Sequence, residues 1–174
     1  MKTGSNFLSI TIRLFNTYKG LADKAMEDLE EVDIHYQPNG ISNNISILVK
    51  HLSGNMLSRF TDFLNSDGEK EWRQRDAEFE DTYVSKNEML QAWQVGWSCL
   101  FATLSALSED DLMKTVFIRK EAHTVLEAIT RQLAHYASHV GQIVFLAKII
   151  QGDKWMYLSI PPGKSVEARG EFLK

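Results

Sequence analysis

Apolar residues recur every three or four positions along most of this chain, and that spacing strongly restricts its fold. Side chains at this spacing lie along one face of an α-helix, so each such segment predicts a helix with one buried face. Four segments show the pattern, at about residues 7–29, 44–64, 86–107 and 124–150. Four long amphipathic helices predict an all-α fold, a four-helix bundle that forms a single domain over residues 1–174.

Capping and breaking residues mark the ends of these helices. Ser85-Lys86-Asn87-Glu88 fits a capping box, and Thr124 with Glu127 forms a second one. Asn43 or Asn44 can cap the second helix, since asparagine side chains accept hydrogen bonds from the first free backbone N–H groups. Gly152 is a stop signal for the last helix.

Two segments depart from the helical pattern. The β-branched and aromatic run at residues 115–118 predicts either one extended strand or half of a small hairpin before the last helix. Residues 66–82 contain ten charged side chains, which predicts a solvated surface loop because burying so many charges is costly. Trp72 and Phe79 are the residues able to attach this loop to the bundle.

Three histidines form a candidate metal site. His135 and His139 are four positions apart on the last helix, so their side chains lie on one face and can bind the same ion. Tyr136 stands where a zincin motif needs glutamate, which excludes that class. His51, within the apolar pattern of the second helix, is the best third ligand, because an unpartnered inward imidazole is costly. His35 and His123 are interpreted as ordinary surface histidines.

Polar residues on the same helix faces indicate a ligand pocket beside the histidines. Helical spacing places Gly54, Asn55 and Ser58 on the face of His51, and Arg131 and Gln142 on the face of the pair. We therefore expect Asn55, Ser58, Arg131 and Gln142 to line the pocket and to favour a polar or anionic ligand. The alternative for Arg131 is an ion pair with a carboxylate of another helix.

The histidine segments also carry a resemblance to a known family. Leu133-Ala134-His135-Tyr136-Ala137-Ser138-His139-Val140-Gly141-Gln142-Ile143 resembles the hallmark of the DinB-like family, and Val49-Lys50-His51-Leu52-Ser53-Gly54-Asn55 matches its second-helix ligand. Gly54-Asn55-Met56-Leu57-Ser58-Arg59, Asp67-Gly68-Glu69-Lys70 and Leu158-Ser159-Ile160-Pro161 are similar to one uncharacterised bacterial branch. The resemblance implies a DinB-like four-helix bundle with a three-histidine site that usually holds nickel or zinc and leaves coordination positions of the ion open.

The resemblance and the site together leave three functions open. Some DinB-like proteins transfer low-molecular-weight thiols such as bacillithiol or mycothiol to electrophiles, and others resemble metal-dependent hydrolases. No acidic residue stands at helical spacing from the three histidines, so no general base is evident, and this slightly favours thiol transfer over hydrolysis. The third function is a non-catalytic ligand-binding module. A purely structural zinc ion usually has four protein ligands. No fourth ligand is evident here, since nothing indicates that Cys99 reaches the site, and this favours an open site over a structural one.

Composition restricts the partners and the location. The net charge of −4 gives no general attraction to nucleic acid. One cysteine excludes an internal disulfide and fits a reducing compartment. We find neither a signal peptide nor an apolar run of about 20 residues that could span a membrane. We therefore expect a cytoplasmic protein whose partner is a small molecule, with no nucleic-acid or membrane partner.

The last helix has a second apolar face, opposite the histidines. A surface helix should be polar there, so something must cover this face. Either the charged loop, residues 155–160 and the neighbouring helices of the bundle cover it within the chain, or a twofold homodimer does, which we favour. The residues of this second face are Leu126, Leu133, Ala137, Val140, Val144 and Ala147. A row of small residues between the two faces, Ala134, Ser138 and Gly141, permits close approach of another backbone.

Overall fold

Four long helices make up most of the computed structural model, which describes residues 2–167. The helices are α1 (Thr3–Glu27), α2 (Ile45–Phe60), α3 (Lys86–Ala106) and α4 (Val125–Gln151), and a hairpin of β1 (Thr115–Ile118) and β2 (Glu121–Thr124) precedes α4. The prediction of a mostly helical chain with four long helices is confirmed, as is the hairpin. None of these helices, within residues 2–167, combines the length and apolar character needed to cross a membrane.

The predicted caps are present at three helix starts. The Asn44 side chain accepts a hydrogen bond from the backbone of Ile47 at 2.8 Å. At α4 the Thr124 hydroxyl accepts from the Glu127 N–H, and the Glu127 carboxylate accepts from the Thr124 N–H, which completes the capping box. Ser85 caps α3 in the same way, although Glu88 there accepts from the backbone of Val84 instead.

The ends of two helices differ from the prediction. Helix α1 begins at Thr3 and ends at Glu27, and α2 ends at Phe60 instead of Leu64. Asp62 has a φ of 48°, outside the helical range, so the chain turns away from the axis of α2 even though apolar Phe63 is buried. Apolar spacing indicates burial, and burial here continues past the last helical residue.

One core lies between the four helices. Helix α2 packs mainly on α3, and α1 mainly on α4, with smaller contacts between α2 and α4 and between α1 and α3. Aromatic side chains fill the centre, where Trp97 contacts Phe15 and Tyr136 edge-on. Gly96 permits the close approach of α3 to α2, because a Cβ at this position would lie 3.0 Å from the Cα of Ser53.

The hairpin is attached to the charged loop through its turn. Arg119 and Lys120 form a two-residue turn with φ values of 56° and 65°, a conformation that usually requires asparagine or glycine. The Asp67 carboxylate accepts hydrogen bonds from both backbone N–H groups, at 2.9 and 2.7 Å. These bonds stabilise a turn that the side chains themselves do not favour.

The prediction that residues 66–82 form a solvated loop is wrong for two of its charges. The Glu78 side chain is 8% exposed and that of Arg73 only 1%, and the two are joined by an ion pair. Pairing and hydrogen bonding offset the cost of removing these charges from water. Trp72, by contrast, is 57% exposed, while Phe79 lies against the His51 ring with centroids 4.8 Å apart.

The second apolar face of α4 is covered in part within the chain. Val140 and Ala147 are buried, and Trp155 and Leu158 of the segment after α4 pack against the same core. The row of small residues, Ala134, Ser138 and Gly141, remains exposed, and it continues to the exposed aromatic side chain of Phe145. Whether a second copy of the chain covers this row stays a prediction.

Candidate metal centre

The three predicted histidines come together between α2 and α4. The Nε2 atom of His135 lies 3.3 Å from Nε2 of His51 and 3.1 Å from Nε2 of His139. One ligand atom from each histidine lies within 4.8 Å of the others. His51 is buried, and the other two are half-buried, so the group has one side towards the interior and one towards solvent.

Partners on the far side of two rings determine which nitrogen carries the proton. Nδ1 of His51 lies 2.9 Å from a Glu78 carboxylate oxygen, and Nδ1 of His139 lies 3.1 Å from the Gln142 amide oxygen. Both oxygens are acceptors, so each Nδ1 must donate, which leaves Nε2 of His51 and of His139 unprotonated in the neutral ring. Two lone pairs are therefore directed towards Nε2 of His135.

This geometry fits a divalent metal ion. Zinc–nitrogen bonds of about 2.0–2.1 Å in a tetrahedral site place two ligand nitrogens about 3.3 Å apart, close to both measured separations. Burial, with the charges of His139 and His51, lowers the pKa of His135 to about 3, and burial also lowers the pKa of His139. Both rings are therefore neutral at pH 7, as metal ligands must be.

A buried ion pair fixes the orientation of His51. Arg73 donates to Glu78 through Nε at 2.7 Å and Nη2 at 2.8 Å, a bidentate contact that fixes the carboxylate plane. Burial raises the pKa of Glu78, but hydrogen bonds from His51 and Arg73 outweigh it, so the pKa lies below its usual value. Gly54 makes room for this carboxylate, because a Cβ there would lie 2.5 Å from its Oε1 atom.

A buried hydrogen bond joins the two helices beside the site. The Tyr136 hydroxyl donates to the Asn55 side chain at 2.9 Å, and the Tyr136 side chain has no exposed surface. Tyr136 follows His135 directly, and Asn55 lies one helical turn after His51. The bond therefore fixes the relative position of the helices that carry the histidines.

A cavity of about 200 Å³ opens next to His51 and His135. Asn55 and Arg131 line it, as predicted, but Ser58 and Gln142 do not. Ser58 is fully buried and donates to the backbone oxygen of Gly68, while Gln142 contacts His139 on the other side of the cluster. Arg131 has no ion pair within residues 2–167, so the alternative of a structural pair is not observed there.

His35 and His123 lie outside the cluster. His35 contacts Asp81 through Nδ1 at 2.8 Å, near the start of α2. His123 lies on β2, where its half-buried side chain is 3.7 Å from the Glu121 carboxylate. Neither histidine shares a ligand position with the other three.

A family model extends the resemblance seen in the sequence. The model described as "Protein of unknown function (DUF1572)" matches residues 2–164. The chain belongs to the DUF1572 family. This family is of the DinB-like type, and its description names no activity. A search of curated proteins found no match to the chain.

Several residues around this DUF1572 site did not emerge from the sequence. Glu78 and Arg73 come from the charged loop, where no helical spacing relates them to the histidines. The cavity also contains Gln132 and three further arginines besides Arg131. Gln132 is three positions before His135, so helical spacing alone could have identified it. The three other arginines are Arg59, Arg75 and Arg119.

Proposed function

We propose that this DUF1572 protein is a metal-dependent enzyme, with a DinB-like four-helix bundle, that transfers a low-molecular-weight thiol to an electrophile. His51, His135 and His139 would hold one divalent ion, nickel or zinc. The observation that carries the proposal is the convergence of three Nε2 atoms, two of them 3.1 and 3.3 Å from the third. Three neutral imidazoles leave the ion its full charge and at least one open position.

A divalent ion held by the three histidines would act as a Lewis acid and would favour the nucleophilic thiolate form of a thiol. Other side chains of the protein orient two of the three histidines. Glu78 and Arg73 fix the His51 ring, and Gln142 fixes the His139 ring. Both contacts keep Nδ1 protonated, which keeps Nε2 free as the ligand atom.

The lack of a free carboxylate favours thiol transfer over hydrolysis. No acidic side chain of residues 2–167 lines the cavity beside the histidines. Glu78 is the nearest acid on the other side, but both its oxygens accept hydrogen bonds, and its lowered pKa makes it a weak base. A hydrolase usually needs a group that removes a proton from water, whereas metal coordination alone activates a thiol.

The transfer forms one bond from the thiol sulfur to an electrophilic carbon. If the electrophile adds across a double bond, the thiol proton ends on the product. If a group is displaced, that group leaves with the bonding electrons and the thiol proton is released with it. No external oxidant or reductant is needed in either case.

A cobalt-substituted protein tests the proposal directly. Bacillithiol, mycothiol and glutathione would each be added, and the near-ultraviolet spectrum would be searched for a sulfur-to-metal charge-transfer band. The same thiols would then be mixed with monochlorobimane, and conjugate formation would be measured with zinc- or nickel-loaded protein. The matched controls are metal-free protein and His139→Ala, which retains two of the three ligands.

The proposal expects a new band and a conjugation rate above both controls for at least one thiol. Metal-dependent hydrolysis of esters or amides, with no new band at saturating thiol, would replace it with the hydrolase function. If neither thiol transfer nor hydrolysis is detected, catalysis is rejected and a ligand-binding module is favoured.

A further inference from the structure

The cavity beside the histidines is lined by an unusually large number of arginines. Four arginines, two amide side chains and two of the three histidines line it, and none of the lining residues is acidic or apolar. The arginines come from four different parts of the chain, namely Arg59 of α2, Arg75 of the charged loop, Arg119 of the hairpin turn and Arg131 of α4. Positive charge from four separate elements therefore converges on one space of about 200 Å³.

Existing ion pairs balance only part of this charge. Glu69 accepts hydrogen bonds from Arg59 at 3.1 Å and from Arg119 at 3.0 Å. Arg75 lies over the Phe79 ring, 5.5 Å from its centroid, and neither Arg75 nor Arg131 forms an ion pair with any acid in the described part of the chain. Two guanidinium groups thus remain available to a bound anion.

Two buried polar atoms of the lining residues also lack partners. Gln132 is 4% exposed, and its amide oxygen accepts no hydrogen bond within residues 2–167. Arg59 is 5% exposed; its terminal nitrogens donate to Gly68 and Glu69, but Nε has no acceptor in the same range. Buried groups without partners cost free energy. The Nε atom of Arg59 is a donor whose missing partner is an acceptor, which an oxyanion offers, whereas the Gln132 oxygen needs a donor and does not favour an anion.

Arg119 is held in a left-handed backbone conformation that arginine rarely adopts. Arg119 and Lys120 both have positive φ, and Asp67 stabilises that turn through two backbone hydrogen bonds. Uncommon backbone conformations that the surrounding structure maintains concentrate at functional sites. Here the consequence is that the side chain of Arg119 lines the cavity.

We propose that this arginine cavity binds an oxyanion group, a carboxylate or a phosphate, of the molecule that reacts at the histidine site. The inference rests on the proposed function, which it deepens by naming the substrate class as small anionic molecules. The planar fork of an arginine matches either oxyanion in a bidentate contact. The cavity is smaller than the roughly 300–1,000 Å³ of drug-sized sites, so it suits the anionic end of a small metabolite.

Titration calorimetry with simple anions tests this inference. Inorganic phosphate and succinate would be added separately to zinc-loaded and to metal-free protein, at a constant salt concentration of about 0.1 M to limit non-specific attraction. Arg131→Ala is the informative variant, because Arg131 is exposed and its removal leaves the core intact. Arg13→Ala, on the exposed side of α1, removes the same charge far from the cavity and is the matched control.

We expect at least one anion to bind wild type and Arg13→Ala equally, and Arg131→Ala to bind it about tenfold or more weakly, as for a lost charge-assisted hydrogen bond. Arg75→Ala should show a similar loss. Tighter binding of phosphate or of succinate identifies which oxyanion the cavity prefers. Absence of binding for both at about 10 mM, or equal affinity of Arg131→Ala and wild type, would overturn the inference.

The two metal states separate this inference from the proposed function. An anion that binds only through the metal would be lost from metal-free protein and would be insensitive to Arg131→Ala, which contradicts an arginine site. A protein that binds no metal but binds an anion in an Arg131-dependent manner would reject the proposed enzyme and retain the anion site. Metal content measured on Arg131→Ala completes the distinction, since this variant should keep its ion.

Discussion

Nδ1 of His51 donates a hydrogen bond to the Glu78 carboxylate at 2.9 Å, and both side chains are buried. Arg73 holds the same carboxylate from the other side through two hydrogen bonds. A carboxylate behind a ligating histidine is a frequent arrangement at metal sites, because it fixes the ring and makes the ligand nitrogen more basic. The charged loop therefore contributes to a candidate metal site whose three proposed ligands all lie on helices.

Removing this carboxylate should weaken metal binding without removing a ligand. We expect Glu78→Ala to lower zinc affinity about 10- to 100-fold, the usual effect of losing such a partner. Competition with a chromophoric chelator would measure the change. Glu80→Ala, in the same loop but at an exposed position without a side-chain partner in the described residues, should bind zinc like wild type. Equal affinities of Glu78→Ala and Glu80→Ala would show that Glu78 does not support the site.

Adding a methyl group at Gly54 should also weaken metal binding, in this case only because of a steric clash with Glu78. The added Cβ would lie 2.5 Å from Oε1 of Glu78, so the carboxylate must move away from His51 or Arg73. We expect Gly54→Ala to reduce zinc affinity about tenfold or more, again within the range for a disturbed partner. Gly20→Ala on α1 is the control, because nothing lies within 4 Å of its added Cβ. Unchanged affinity of Gly54→Ala would mean that the carboxylate adapts without cost.

Acid should selectively weaken the contact between the charged loop and the start of α2. Asp81 accepts hydrogen bonds from Asn44 and Ser46, both at 2.6 Å, and contacts His35. Burial raises the pKa of Asp81, but these bonds outweigh it and hold the pKa below its ordinary 3.8. The ionised carboxylate therefore contributes stability above about pH 3.8, and the contribution disappears as the pH falls through the lowered pKa.

The measurement is the free energy of unfolding of wild type and Asp81→Asn at pH 5 and at pH 2.5. At pH 5 we expect the variant to be less stable by about 1 kcal/mol, a modest value because solvent screens this carboxylate. At pH 2.5 the difference should shrink. Asp76→Asn, at an exposed position in the same loop, should match wild type at both pH values. A difference that is constant with pH would exclude the ionised form as the source.

The exposed row of small residues on α4 predicts a homodimer. Ala134, Ser138 and Gly141 permit close approach of another helix, and Phe145 at the end of the row is 64% exposed. Sedimentation at micromolar concentration should give a dimer mass for wild type and a monomer mass for Phe145→Asp. Val95→Asp places the same charge at an exposed apolar position of α3 and should remain dimeric. A monomeric wild type would reject the prediction.

The features that the sequence predicted well depend on regular spacing. His135 and His139 share a helix face because they are four positions apart, and Thr124 with Glu127 caps the helix that carries them. His51, the proposed third ligand, was identified because it lies within an apolar helical pattern, and the structure brings it next to His135. Such relationships involve neighbours in one helix, so the sequence contains them directly.

The features that were missed depend on contacts between distant segments. Glu78 reaches His51 from a loop 27 residues further along the chain, and no periodicity predicts that contact. The turn at Arg119 and Lys120 lacks the usual asparagine or glycine, because Asp67 supplies its stabilising bonds. The sequence segments that carried the family resemblance nevertheless include Gly54 and Asp67. Gly54 lies against Glu78, and Asp67 stabilises the turn, but the sequence did not predict either contact.

The most direct test of the account is the metal content of protein purified without a histidine tag. Inductively coupled plasma mass spectrometry should find about one nickel or zinc ion per chain in wild type, His35→Ala and His123→Ala. His51→Ala, His135→Ala and His139→Ala should each lose stoichiometric metal, because two imidazoles hold a divalent ion far less tightly than three. A wild-type protein that remains metal-free after exposure to nickel and zinc, or full occupancy in any of these three variants, would contradict the three-histidine site.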